Sequence, residues 1–169
     1  NENGPDKSGV RSSAYYPDYR ARRIESLILK DENHTAESMR AIQGDRCTPE
    51  MVPLSKNLVD IFRKHIAPTK PTQAEQSACR VLKQWDGSYE THEAGPVVLS
   101  LILEEFYASV LERCSDRLRK NTSLHYKFVE RMLHWLSGDE QIAQARFEKG
   151  VGPLEEHLVK GFRKGIAFG

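Results

Sequence analysis

Helix punctuation repeated along the whole chain limits the fold more than any other feature. Apolar residues recur three and four positions apart, and each run opens on a capping residue or proline and stops at glycine or a polar cluster. Asp18, after Pro17, suits an N-cap for a helix with Ile24, Leu27 and Ile28 on one face, ended by Asp31-Glu32-Asn33. Thr35 caps a second run, with Met39 and Ile42 on one face, up to Gly44. Thr48-Pro49 opens a third with a capping hydroxyl and a proline at the first helical position, and Val52, Leu58, Val59, Ile61 and Phe62 carry it to about His65. Pro68 and Pro71 mark a linker, and Thr72 caps a helix through Ala78, Val81, Leu82 and Trp85 to the turn at Asp86-Gly87.

The run from Pro96 to Leu111 is apolar on nearly every side, which predicts the buried centre of a bundle. Asn121-Thr122 opens a helix through Leu136, Asp139 caps one from Ile142 to Phe147, and Gly150 to Pro153 separates it from a last helix with Leu154, Leu158, Val159 and Phe162. There is no convincing strand, no internal repeat and no sustained heptad. The fold class is therefore all-α, an irregular multi-helix bundle. Residues 1 to 16 are polar and irregular and predict an extended segment that needs another surface to lie on. The organisation that follows is an extended segment over 1–18 and a single helical domain over 19–169.

A chain of 169 residues is long enough to bury a core, and 38% hydrophobic with 29% charged residues fits a globular domain. Twenty-five basic against 24 acidic residues leave a net charge of +1, so no nucleic-acid partner is expected. The longest apolar stretch, Val97 to Leu103, is broken by Ser100 and is far too short to span a bilayer, so no membrane partner is expected either.

Most chemistry-bearing patterns are missing. There is no phosphate-binding glycine loop, no HExxH and no GxSxG. The six histidines form no i, i+4 pair, and Cys47, Cys79 and Cys114 are too scattered for a zinc site, so no metal ligands are assigned and buried or half-buried thiols are expected. The acidic pairs Glu104-Glu105 and Glu155-Glu156 are adjacent and point to different parts of their helices, so neither is a catalytic dyad. One residue stands out. Arg20 shares the face of Ile24, Leu27 and Ile28, so it is aimed into a core and needs a partner there, lies at a boundary where another domain meets the helix, or snorkels from the first turn.

Several segments carry a family resemblance. Asn1, then Tyr15-Tyr16-Pro17, then Tyr19-Arg20-Ala21-Arg22-Arg23-Ile24 resembles a stretch of the penicillin amidase (penicillin acylase) family of N-terminal-nucleophile hydrolases. AESMRAIQGD over 36–45, Met51-Val52-Pro53-Leu54, VLKQWDG over 81–87 and the closing Phe168-Gly169 are similar to further family segments in the same order. The resemblance runs over essentially the whole chain.

It implies the helical segment of the nucleophile-bearing chain of a self-cleaving amidohydrolase. In that family an N-terminal serine is the nucleophile and its own α-amine the base, an amine poised to take a proton near neutral pH. That serine is not residue 1 here, which is Asn1, so this chain alone is expected to be inactive. By position, Asn1 is the first choice and Asn3 the second for the family's oxyanion asparagine, and Arg20 matches the arginine beside the substrate. No cofactor is implied, though calcium is possible in the parent protein, with Asp6 the one aspartate between Asn1 and Pro17. The implied partners are the remainder of the amidase and a small-molecule amide, such as a penicillin or cephalosporin side chain or an acyl-homoserine lactone. The implied location is periplasmic or secreted. The competing expectation is a free-standing helical module that binds another protein through an apolar groove.

Overall fold

The structure, a computed structural model, describes residues 19–114 and 141–167. Seven α-helices are described: α1 (Tyr19–Ile28), α2 (Ala36–Gly44), α3 (Val52–Ile61), α4 (Gln73–Gln84), α5 (Gly95–Leu111), α6 (Gln141–Val151) and α7 (Leu154–Ala167). No strand occurs among the described residues; the nearest thing to one is an isolated antiparallel bridge between Cys47 and Ser88. The all-α expectation holds. The segment 1–18 and the helix expected from Asn121 to Leu136 lie outside the described residues.

Two helix starts follow from their capping residues. Thr35 Oγ1 accepts from Ser38 N at 3.1 Å, while Ser38 Oγ accepts from Thr35 N at 2.9 Å. Thr72 and Glu75 make the same reciprocal box at the head of α4, with Thr72 N donating to Glu75 Oε2 at 2.7 Å. Each box satisfies two backbone donors that the first helical turn leaves without intrahelical partners.

Thr48 does not behave as its sequence context predicts. Its side chain makes no capping bond, and a 3-10 turn over Pro49–Met51 precedes the true start of α3 at Val52. The reason lies across the fold. Thr48 N donates to Gly87 O at 2.8 Å, which ties the residue to the turn after α4 instead of to the helix it was expected to open. At its far end α3 runs into a π turn over Phe62–Ile66 and a 3-10 turn over Ala67–Thr69, and it stops where Lys70 takes a φ of 56°.

The core is built around α5 and α7. Leu99, Ile102, Phe106 and Val110 of α5 and Leu154, Leu158 and Phe162 of α7 are buried together with Leu54, Leu58, Ile66 and Leu82 from α3, its π turn and α4. Burying side chains of this size stabilises the fold by about 1.5–3 kcal/mol each before chain entropy is set against it. Glycines bring the two helices together. A Cβ at Gly161 would sit 2.8 Å from Ile102 O, and one at Gly165 would sit 2.5 Å from Leu101 O, so the backbones approach where a side chain would not fit. The expectation that α5 is buried all round needs correction: its core face is buried, but Val97 is 59% exposed, because the helices packed on α5 cover its opposite side.

One polar pair lies inside this core. His157 Nε2 is 2.8 Å from Val151 O, a pure acceptor, so Nε2 carries the proton and Nδ1 accepts from Ser109 Oγ at 2.8 Å. Both ring nitrogens are satisfied, as a buried imidazole requires.

Candidate functional site

Helix α1 buries no residue at all. Its apolar side is only partly covered, with Ile28 37% exposed and Leu29, just past its end, 77%. Arg20 therefore does not point into a core, contrary to one reading of its place on that face. Its side chain, 47% exposed, turns toward the C-terminal end of α2. There Nη1 donates to Asp45 O at 2.8 Å, and Nη2 donates to Ile42 O at 3.2 Å and Gln43 O at 3.3 Å. The last carbonyls of a helix lack intrahelical donors and carry the negative end of its dipole, so a guanidinium is well matched to them.

Arg23, one turn further along α1, takes the other half of the junction. Its Nε and Nη2 donate to Asp45 Oδ2 and Oδ1 at 3.1 and 2.8 Å, a two-pronged pair between side chains only 20% and 14% exposed. The Arg23 fork holds the Asp45 carboxyl below its ordinary range, with burial opposing it and the Cys47 amide helping. The same hydrogen bond raises the Arg23 guanidinium above its usual value. The Arg22 guanidinium lies 5.5 Å from the ring centre of Tyr19.

Beyond Asp45 the chain is fixed to the bundle. Asp45 Oδ2 accepts from Cys47 N at 3.3 Å, and Cys47 Sγ lies 3.8 Å from Asp86 O, to which it donates. Burial pushes the Cys47 thiol up, which leaves it protonated and a poor nucleophile. Tyr89 N donates to Arg46 O at 2.9 Å, completing the bridge between the segment after α2 and the turn after α4. That turn takes its shape from Asp86, whose Oδ1 accepts from Ser88 N at 2.9 Å, and from Gly87, whose φ is +94°. Trp85, 5% exposed, anchors it: its Nε1 donates to Ser88 O at 2.7 Å and its ring covers Gly95 so closely that no Cβ would fit there.

Three segments far apart in sequence thus meet at one junction: Arg20 and Arg23 on α1, Asp45 after α2, and Trp85-Asp86-Gly87 after α4. Arg23 and Asp45 were not singled out from the sequence. The available signal was the three-residue spacing of Arg20 and Arg23, which puts both on one side of a helix, together with a carboxylate directly after the glycine that ends α2.

Of the residues expected from the sequence to serve chemistry, Arg20 is at this junction, whereas Asn1, Asn3 and Asp6 lie outside the described residues. Among the described residues no group of three or more His, Cys, Asp or Glu is placed to hold a metal ion. Cys47, Cys79 and Cys114 are half-buried and none is in a disulfide. Of the described histidines, His34 Nε2 lies 2.9 Å from Ile28 O, His65 Nε2 lies 3.4 Å from Glu155 Oε2, and the exposed His92 lies 3.6 Å from Glu93 Oε1. No described helix is long and apolar enough to cross a membrane.

Among the described residues, the family-like segments over 19–24, 36–45 and 81–87 meet at this joint of an all-α region. The penicillin amidase family model matches residues 1–165, nearly the whole chain, and the chain belongs to that family. Comparison with curated proteins and with solved structures gives no match.

Proposed function

We propose that this chain is the helical region of the nucleophile-bearing part of an amidohydrolase that cleaves a linear amide between an acyl group and an amine. The family match over residues 1–165 carries this reading. The substrates in view are penicillin or cephalosporin side chains and acyl-homoserine lactones, acted on in the periplasm or after secretion. The reaction needs a nucleophile, which in this reading is an N-terminal serine that acts with its own α-amine and belongs to a part of the enzyme other than this helical region. It also needs a donor for the oxyanion that forms when the amide carbonyl is attacked. Asn1 is our first assignment for that donor and Asn3 the second, since a carboxamide N–H aimed at the developing charge stabilises the tetrahedral intermediate. Arg20 borders the substrate, and its half-exposed guanidinium is compatible with that position.

The test uses the whole protein. Full-length enzyme should hydrolyse a phenylacetyl or acyl-homoserine amide, and the 169-residue chain alone should not. Alanine at the oxyanion asparagine should lower kcat by about 10²–10³ while the protein stays folded. Absence of any amide hydrolysis by the full-length protein, or full activity in the isolated chain, would overturn the proposal.

A further inference from the structure

A ten-residue helix with no fully buried side chain, its Ile24 and Leu27 only partly covered, gains little from apolar packing, and alone in water it would be marginal. The polar joint at Asp45 ties α1 to the bundle. That carboxylate receives Arg23 through two donors, Cys47 N at 3.3 Å and Arg20 Nη1 at 3.5 Å. On the other side of the joint, Thr48 and Arg46 are bonded to the turn that Trp85 roots in the core. The two arginines divide the work. Arg23 gives its fork to Asp45, so Arg20 is left on backbone carbonyls with close to half its side chain exposed. Without the carboxylate, two like charges one turn apart would face the same helix end with only the partial charges of its carbonyls opposite them.

We infer that Asp45, through its pair with Arg23, is a positioning residue of the amidase: it fixes α1 on the bundle and thereby sets where the Arg20 guanidinium is presented to substrate. This rests on the amidase reading only for the last step, the presentation of Arg20. The first step is a statement about the fold and is read out separately.

The experiment takes the full-length enzyme with D45N, D45E and R23K. D45N keeps the shape and removes the charge, D45E keeps the charge, and R23K keeps the charge but loses the fork. Phenylglyoxal labelling of Arg20 and Arg23, followed by peptide mass spectrometry, reports the joint, and steady-state kinetics report the substrate side.

In D45N, labelling of Arg23 should quicken about tenfold and that of Arg20 should also rise, as expected when a charge-assisted bond is lost. KM should rise by a similar factor with kcat changed far less, the signature of a lost binding contact. D45E should return both readouts toward wild type, which a merely destabilised fold would not do. If D45N does not fold, R23K carries the same test, with the same direction in labelling and KM.

Unchanged labelling in both D45N and R23K overturns the proposal. Faster labelling with an unchanged KM overturns the link to substrate while leaving the amidase reading standing. A wild-type enzyme without amidase activity sinks the amidase reading, while the labelling results still decide the joint.

Discussion

Replacing Gly165 by alanine puts the close packing of α5 on α7 to a quantitative test. The new Cβ would lie 2.5 Å from Leu101 O, against the 3.4 Å at which ordinary contact begins, a shortfall of about 0.9 Å. Leu101 C at 2.7 Å and Ile102 N at 2.9 Å crowd the same point. All three are backbone atoms of a helix, so no rotamer change relieves them and the two helices must separate. Overpacking of this kind costs about 1–3 kcal/mol, and a backbone obstacle belongs in the upper half of that range. Alanine in place of a helical glycine returns about 1 kcal/mol through better helix propensity. The net expectation is a loss of about 1–2 kcal/mol, which is a factor of roughly 5–30 in the open population of this helix pair.

Gly150, on α6, supplies the control. Nothing lies within 4 Å of its Cβ position, so G150A should gain about 0.5–1 kcal/mol. The assay is native-state hydrogen exchange by mass spectrometry on the full-length protein, reading peptides from α5 and α7. G165A should speed exchange in both helices and G150A should not. Equal or slower exchange in G165A would refute the close-packing argument.

Three further outcomes are expected. The Arg23 guanidinium beside Asp45 holds its carboxyl below the usual range, so the folded value lies under the unfolded one. The pair's stabilisation is complete above the unfolded carboxylate pKa near about 3.9 and is lost as pH falls through the lowered folded value. Exchange in α1 should therefore quicken below about pH 4, and D45N should lack that acid step. G87A must adopt a φ of +94° and bring a Cβ within 2.8 Å of Thr48 O. Its thermal midpoint should drop by an amount reflecting a loss of at least about 1–2 kcal/mol. S109A removes the donor to His157 Nδ1 inside the core and should cost about 1–3 kcal/mol in denaturant unfolding, whereas S100A, at an exposed site of the same helix, should stay within about 0.5 kcal/mol.

Local rules in the sequence determined much of this molecule. Thr35 and Thr72 cap where their neighbours three residues on predict, because a capping box is closed within four residues of chain. Asp86-Gly87 turns for the same reason, since an Asp side chain reaches the amide two residues ahead and glycine accepts a positive φ. The apolar stripes of α3, α4 and α7 identified their core faces, because helical spacing puts such residues on one side.

Tertiary structure decided what those rules cannot reach. Thr48 has the residue type and the following proline of a helix cap, yet its amide is taken by Gly87, thirty-nine positions further on. Gly161 and Gly165 look like weak points in a helix until α5 is laid against them. Arg20 was legible as an unusual residue, but not its destination. Its face on α1 suggested a core, and only the arrival of α2 supplied carbonyls to receive it. Arg23 and Asp45 lie 22 residues apart and acquire their roles only when α1 and α2 fold side by side. Periodicity and capping fix the shape of each helix, since both act over one turn. The partner of a charge or a glycine is fixed by whichever distant segment the packing of the core brings to it.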